Sequence, residues 1–218
     1  MKKIAVILAG CGRKDGSEIN EAVTLLLALD QNDCQVQCFA PNILQYHVVN
    51  HHTDEVIAGE SRNVLEEAAR LARGGVKPLE EFKAEDFDAL IFSGGYGVAK
   101  NLCTYAIEGT EMEINPDVER AIKDMHNAGK PLGGMCIAPI MFAKAIEGAH
   151  ITLGNEDCDA ARDAERMGAN HIQTQNGDVV VDNQEHIFTT PCYMLDAKLS
   201  DIYDDACNLV EAILDSMK

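Results

Sequence analysis

Apolar runs alternate with amphipathic segments along this chain. Residues 3–9 are almost wholly apolar, which is typical of a parallel strand buried on both faces. Residues 18–29 then carry apolar side chains at helical spacing, namely Ile19, Ala22, Val23, Leu26 and Leu27. The alternation continues to the end of the chain and indicates right-handed βαβ units. We therefore expect an α/β fold, with a mostly parallel sheet covered by helices on both sides.

Turn and cap residues place the other elements. Ser61 is expected to cap a helix that runs to residue 73. Asn115 followed by Pro116 predicts the start of another helix, because proline suits the first helical position, and Gly129 is expected to end it. The remaining predictions are strands at residues 35–41, 87–95, 131–136, 149–154 and 170–175, a hairpin at 178–191, an irregular loop at 42–60, and helices at 137–148, 157–167 and from 196 onward.

Composition narrows the class of protein. The chain has 218 residues, of which 46% are hydrophobic and 25% charged, as expected for one globular domain. The net charge of −18 would repel nucleic acids and anionic membranes, so neither is an expected partner. The apolar run near the N-terminus is too short for a signal peptide or a membrane span. We therefore expect a cytoplasmic protein.

Eight cysteines are present, but their spacing contains no CxxC pair. Several lie inside apolar runs, where a reduced cysteine acts as a small hydrophobic residue. No Cys/His cluster has the spacing of metal ligands. The adjacent His51 and His52 fit a loop better than a metal site. We therefore expect neither disulfides nor a metal, and no cofactor.

One cysteine lies in a pattern typical of a nucleophile. Gly134, Cys136 and Ala138 have the form G-x-C-x-A between an apolar strand and a helix, which is the context of a nucleophile elbow. The small flanking residues would let the chain reverse sharply, so that the thiol projects from the turn. Free N–H groups at the start of the next helix would favour the thiolate. A buried cysteine at the end of a strand, with no function, is the alternative interpretation.

A second glycine-rich turn, at residues 93–97, ends the neighbouring strand. The carboxyl ends of parallel strands meet at one edge of a sheet. The backbone N–H groups of Gly95 and Ile137 are therefore expected to converge and bind an oxyanion formed at Cys136. Two converging turns favour the functional interpretation over the structural one.

The loop after the first strand supplies acidic residues. Glu18 and Glu21 are three residues apart and share one side of the first helix. Glu18 is expected only to complement the helix dipole. Glu21 lies one turn further in, where partial burial would raise its pKa and suit it to general acid/base chemistry.

These residues resemble a known family. The matching motifs are Gly16-x-Glu18-x-x-Glu21, Ser93-Gly94-Gly95 and Gly134-x-Cys136-x-Ala138. They resemble the PfpI/Parkinson-associated deglycase superfamily, which shares its fold with class I glutamine amidotransferases. Longer stretches resemble the ElbB branch, namely ILAGCG, DGSEINEA, GESRNVLEEAAR, GGYGVAKNL, AGKPLGGMCIAP and TTPCYML.

The resemblance implies a flavodoxin-like three-layer αβα sandwich with a small β-hairpin, formed by one amidotransferase-like domain over residues 1–218. It assigns the nucleophile to Cys136 and the assisting carboxyl group to Glu21. ElbB-type proteins are described as glyoxalases and linked by name to isoprenoid biosynthesis. The resemblance therefore implies a small aldehyde as substrate, and a homodimer.

The sequence departs from the family pattern at three positions. Arg13 and Lys14 stand where relatives tend to carry an apolar and an aromatic residue, and two cations there could change substrate choice. Ile137 follows the cysteine where many members have histidine, and no glutaminase H-x-E pair is present. Nothing in their spacing connects His171 or His186 to the site.

Four functions remain open from the sequence. The first is a cofactor-independent glyoxalase that uses Cys136 and Glu21. The second is a thiol hydrolase or amidase, which the absent histidine disfavours. The third is a redox-sensing or regulatory protein with a reactive cysteine. The fourth is nucleotide binding by the glycines of residues 10–16, which the lack of an acidic residue at the end of the second strand disfavours.

Overall fold

The computed structural model describes residues 1–218, and its strands follow the apolar runs of the sequence. The strands are β1 (Lys3–Ile7), β2 (Gln35–Ala40), β3 (Val49–Asn50), β4 (Glu55–Val56), β5 (Val76–Pro78), β6 (Ala89–Phe92), β7 (Leu132–Met135), β8 (His150–Ile151), β9 (Asn170–His171), β10 (Val180–Asp182) and β11 (Ile187–Thr190). The helices are α1 (Ile19–Gln31), α2 (Val64–Leu71), α3 (Tyr105–Glu108), α4 (Pro116–Asn127), α5 (Pro139–Ala145), α6 (Asp159–Arg166) and α7 (Leu199–Ser216).

Seven strands form the central sheet, in the order β10-β11-β7-β6-β1-β2-β5. All neighbours in it are parallel except β10 and β11, which form the predicted antiparallel hairpin. β1 pairs with β2 on one side and with β6 on the other, and β6 pairs with β7. The loops that follow β1, β6 and β7 therefore lie side by side at one edge, where α/β proteins bind ligands.

Helices cover both faces of the sheet and complete the three layers. On one face, Leu25 of α1, Val64 of α2 and Leu209 of α7 share an apolar core with Ile4 of β1. On the opposite face, a second core contains Ile7 of β1, Ile122 of α4 and Phe142 of α5. Successive residues of β1 thus enter opposite cores, as expected for a strand buried on both faces. The flavodoxin-like αβα sandwich predicted from the sequence is confirmed.

The predicted inward face of α1 is largely wrong. Ile19, Val23 and Leu27 are 45%, 48% and 44% exposed, whereas Leu25 is buried. The sequence offers two apolar stripes with helical spacing, and the one that packs against α7 and the sheet contains Ala22, Leu25, Ala28 and Leu29. This rotation also places Glu21 on the buried side of the helix.

Three further features differ from the prediction. Ser61 does not cap α2, because the Asn63 side chain accepts the N–H groups of Leu65 and Glu66 at 2.8 and 3.2 Å. The stretch predicted as an irregular loop contains the short antiparallel pair β3 and β4. The edge strand β5, which has only three residues, was not predicted.

Candidate functional site

Cys136 occupies the sharp turn between β7 and α5. Its φ of +58° lies in the left-handed region, which costs a residue with a side chain on the order of 1 kcal/mol or more. The N–H of Cys136 donates to the carbonyl oxygen of Thr190 at 3.0 Å, which holds the turn against the end of β11. Gly134 lets α5 approach, since a Cβ there would lie 2.7 Å from the Phe142 ring. The geometry is that of the predicted elbow.

Two backbone N–H groups face the sulfur of Cys136. They belong to Gly95, in the turn after β6, and to Ile137, and both act to lower the pKa of the thiol. Gly95 has a φ of +106°, and a Cβ on it would lie 2.3 Å from the backbone nitrogen of Glu18. Only glycine therefore lets the two loops approach this closely. The structure brings together the two N–H groups that the sequence predicted for an oxyanion hole.

Glu21 is completely buried beside the same thiol. Its Oε1 accepts the N–H of Tyr193 at 3.4 Å, and its Oε2 lies over Gly94, beside the Cys136 side chain. A Cβ on Gly94 would be 2.2 Å from that Oε2 and 2.4 Å from the Cβ of Cys136. The glycine thus provides the space in which the carboxyl and thiol groups meet.

Burial is the main cause of the altered acidity of Glu21. It raises the pKa of Glu21 to about 8, with a further contribution from the negative charge of Glu18, while bonds to Cys136, Tyr193 and Gly94 oppose the rise. The carboxyl group is therefore largely protonated at neutral pH. The raised pKa that the sequence analysis predicted is present, and its magnitude is large.

The predicted preference of Cys136 for the thiolate form is wrong. Burial, and then the charge and hydrogen bond of Glu21, raise the pKa of Cys136 well above that of an ordinary thiol. The N–H groups of Gly95 and Ile137 oppose this rise without overcoming it. Helix α5 begins only at Pro139, which has no N–H to offer. Cys136 therefore keeps its proton at neutral pH in the free protein.

Glu18 has the structural role expected of it. It precedes the first residue of α1, and its Oε2 accepts the N–H of Glu21 at 2.8 Å. Its own N–H donates to the carbonyl of Gly94 at 2.9 Å, which ties α1 to the turn after β6. Because a carboxylate already occupies the N-terminus of α1, a nucleotide phosphate would meet a negative charge there. This disfavours nucleotide binding by the glycine-rich loop.

A cavity of about 870 Å³ opens above Cys136. Cavities of this size accommodate drug-sized ligands. Its wall includes Gly95 and Ile137, the cations Arg13 and Lys14, and the tyrosines Tyr96, Tyr105 and Tyr193. Apolar and aromatic side chains thus surround a small number of polar groups, which is typical of a small-molecule site.

No histidine lines this cavity. His171 lies in β9, and His186 lies in the turn between β10 and β11. His51 is placed near Asp15, with 3.6 Å between its Nε2 and the carboxylate. No group of three or more His, Cys, Asp or Glu side chains is arranged to hold a metal ion. None of the helices combines the length and the apolar character that crossing a bilayer requires.

Sequence reasoning missed the contribution of the segment after β11. The N–H of Tyr193 holds Glu21, and the Tyr193 hydroxyl accepts a hydrogen bond from Asn20 at 3.0 Å. Cys192 before it is fully buried with a φ of +46°, so this turn is also strained. The TTPCYML motif, which contains both residues, was the available signal, but nothing in its composition connects it to Glu21.

Comparison with known proteins places the chain among relatives of similar length. It is 39% identical over 221 residues to the human glutamine amidotransferase-like class 1 domain-containing protein 3, mitochondrial, covering 98% of this chain and 82% of that protein. It is 32% identical to the mitochondrial ES1 protein of Danio rerio, over 97% of this chain and 84% of that protein. No protein-family model matches the chain.

Solved structures agree with these relatives. An isoprenoid biosynthesis protein with an amidotransferase-like domain from Ehrlichia chaffeensis superimposes with a TM-score of 0.93 and 37% identity, over 100% of both chains. The DJ-1β protein of Drosophila melanogaster gives a TM-score of 0.59 at 18% identity, over 97% of this chain and 90% of that one. The second likeness shows a shared fold.

Proposed function

This chain belongs to the family of glutamine amidotransferase-like class 1 domain proteins that includes the ES1 proteins, and from this premise we propose that it converts small 2-oxoaldehydes such as methylglyoxal to 2-hydroxy acids. The observation that carries the proposal is the buried pair of Glu21 and Cys136, which meet over Gly94. A thiol can add to an aldehyde, and a neighbouring carboxyl group of raised pKa can move protons between carbon and oxygen.

The first step is addition of sulfur to the aldehyde carbon. The productive form of the pair holds one proton, on Cys136, because the pKa of Cys136 is the higher of the two. The thiol passes this proton to the carboxylate of Glu21 as the sulfur attacks. As the C–S bond forms, the carbonyl oxygen becomes an oxyanion that the N–H groups of Gly95 and Ile137 can stabilise. Glu21 then gives its proton to that oxygen, which leaves a neutral hemithioacetal and a carboxylate.

The second step moves hydrogen between two carbons without an oxidant. The Glu21 carboxylate removes the hydrogen from the carbon that carries sulfur, which gives an enediol form of the adduct. The hydroxyl proton passes from one oxygen of the enediol to the other, and Glu21 returns its proton to the former keto carbon. The product is the thioester of a 2-hydroxy acid on Cys136. Water then hydrolyses the thioester, with Glu21 as base, and regenerates the thiol.

The alternatives receive less support from the site. An amidase needs a base that activates the thiol and protonates a leaving amine, and no histidine lines the cavity. A redox sensor needs an accessible cysteine of low pKa, whereas Cys136 is 7% exposed and its pKa is raised.

Lactate formation from methylglyoxal, without glutathione, tests the proposal. We expect the wild-type protein to form lactate, and Cys136→Ala to lose turnover. The turnover of Glu21→Gln should be lower than that of the wild type by about 10²-fold or more, since glutamine cannot carry the proton. Cys34→Ala is the matched control, because Cys34 is a half-buried thiol outside the cavity. Full activity in Cys136→Ala would refute the proposal.

A further inference from the structure

A group of three cations lies beside the cavity of this otherwise acidic protein, formed by Arg13, Lys14 and Lys100. Arg13 and Lys14 belong to the cavity wall that also contains Cys136. The chain has 36 acidic residues and 18 basic ones, so cations gathered at this cavity run against its overall charge. The three residues are called the cation group below.

Backbone contacts hold the cation group against the turn that carries Gly95. The N–H of Tyr96 donates to the carbonyl of Arg13 at 2.9 Å, and the Lys100 ammonium donates to the carbonyl of Lys14 at 2.9 Å. The ammonium groups of Lys14 and Lys100 lie 5.6 and 5.4 Å from the centre of the Tyr96 ring. The cation group thus packs against Tyr96, the residue that directly follows Gly95.

A single carboxylate serves both Arg13 and Lys14. Asp54 lies 3.5 Å from the Arg13 guanidinium and 3.4 Å from the Lys14 ammonium. These separations are long for ion pairs, and the Asp54 side chain is 51% exposed. Asp54 sits between β3 and β4 with a φ of +59°. It is a loosely held counter-ion that another anion could replace.

The other acidic groups nearby are already engaged. Asp15 accepts the N–H of Val49 at 2.8 Å and faces His51. Glu18 caps α1, as described above. Asp159, which also lines the cavity, pairs with Arg162. Arg13 and Lys14 thus share the one carboxylate of Asp54 as their ion-pair partner.

We infer that Arg13 and Lys14 bind an anionic group of the substrate, a carboxylate or a phosphate, in place of Asp54. The cavity of about 870 Å³ has room for far more than the three carbons of methylglyoxal. This inference about the substrate rests on the proposed function: the substrate is a larger 2-oxoaldehyde that carries the anionic group at the end remote from the aldehyde. The anion site itself does not depend on that activity.

Alkylation of Cys136 tests the anion site without any turnover. Rates of modification by anionic iodoacetate and neutral iodoacetamide are measured by mass spectrometry of the peptide that contains Cys136. Their ratio cancels any change in the pKa of the thiol, because both reagents need the thiolate. In Arg13→Gln/Lys14→Gln the ratio of iodoacetate to iodoacetamide rates should fall by about fivefold, as expected for two unit charges acting through a partly aqueous cavity.

Two more variants make the result specific. Asp54→Asn removes the counter-ion and should raise the ratio, and asparagine tolerates the positive φ of this position. Lys123→Gln is the control, since Lys123 is an exposed cation of α4 that pairs with Glu119, and its ratio should equal that of the wild type. Equal ratios in all four proteins would overturn the inference.

Calorimetric titration with inorganic phosphate and with succinate identifies the anion at constant ionic strength. Tighter binding of one, lost in the Arg13→Gln/Lys14→Gln variant, supports the site and names its class of ligand. Absence of binding by both anions, together with an unchanged alkylation ratio, would refute the site whatever the lactate assay shows. Anion binding without lactate formation would instead retain the site and refute the proposed activity.

Discussion

At the scale of single residues, the site depends on the absence of a side chain at Gly94. Any Cβ on Gly94 would overlap both Glu21 and Cys136, so this glycine decides that an acid and a thiol share one buried space. Burial raises the pKa of both groups, and the charge of Glu21 raises that of Cys136 further, whereas the hydrogen bond from Cys136 lowers that of Glu21. The reactivity of the pair therefore depends on the total number of protons bound to Glu21 and Cys136.

The pH dependence of turnover follows from this proton count. Well below the pKa of about 8 for Glu21, the pair holds two protons, because the pKa of Cys136 is higher still. The productive form holds one, so its population increases as pH rises toward 8. We expect kcat/KM for methylglyoxal to rise about tenfold per pH unit from pH 6 and to level off near pH 8.

Glu18→Gln provides the control for that profile. Glutamine keeps the oxygen that caps α1, but it removes a charge that raises the pKa of Glu21. The rising limb should therefore move to lower pH, with little change in the maximum rate. A wild-type profile that stays flat from pH 6 to 8, or a rising limb that does not move in Glu18→Gln, would contradict the assigned protonation states.

At the scale of elements, the sequence predicted a helix boundary correctly where only one residue in the segment was a good cap. Helix α4 begins at Pro116, after the predicted Asn115, and ends before Gly129, which has a φ of +64°. The prediction failed where two signals competed. Ser61 and Asn63 are both good caps, and α1 has two apolar stripes, so only packing against α7 and the sheet decides which is used.

The competing caps of α2 give a direct test of stability. Asn63→Ala removes the acceptor of two backbone N–H groups and should lower the free energy of unfolding by about 1 kcal/mol. Ser61→Ala should change it by less than about 0.5 kcal/mol, since Ser61 is exposed and lies outside the helix. Urea unfolding of both variants beside the wild type measures the difference. A larger loss for Ser61→Ala would show that the cap is misassigned.

At the scale of the whole molecule, topology explains why part of the site was predictable. Cys136, Gly95 and Glu21 follow different strands of a parallel sheet, and the carboxyl ends of those strands must meet. Protonation states were not predictable, because burial depends on every element around the pair. The contact of Asp54 with Arg13 was equally hidden, since it requires the unpredicted β3–β4 hairpin. The homodimer implied by the resemblance stays a prediction.

Net charge is the other property of the whole molecule with a measurable consequence. With a net charge of −18, carboxylates repel one another across the folded surface and oppose compaction. Salt screens this repulsion over about 10 Å at 0.1 M. It also weakens surface ion pairs such as Lys123 with Glu119, but each exposed pair contributes at most about 1 kcal/mol. The excess of 18 negative charges should therefore dominate the response to salt.

We expect the melting temperature at pH 7.5 to rise between 10 and 300 mM NaCl, by about 2–4 °C for each kcal/mol of repulsion removed. Differential scanning calorimetry over this range measures the shift. The same series near pH 5 serves as the control, because carboxylates begin to take up protons there and less repulsion remains to be screened. A melting temperature that falls with salt at pH 7.5 would mean that the surface ion pairs contribute more to stability than the repulsion removes.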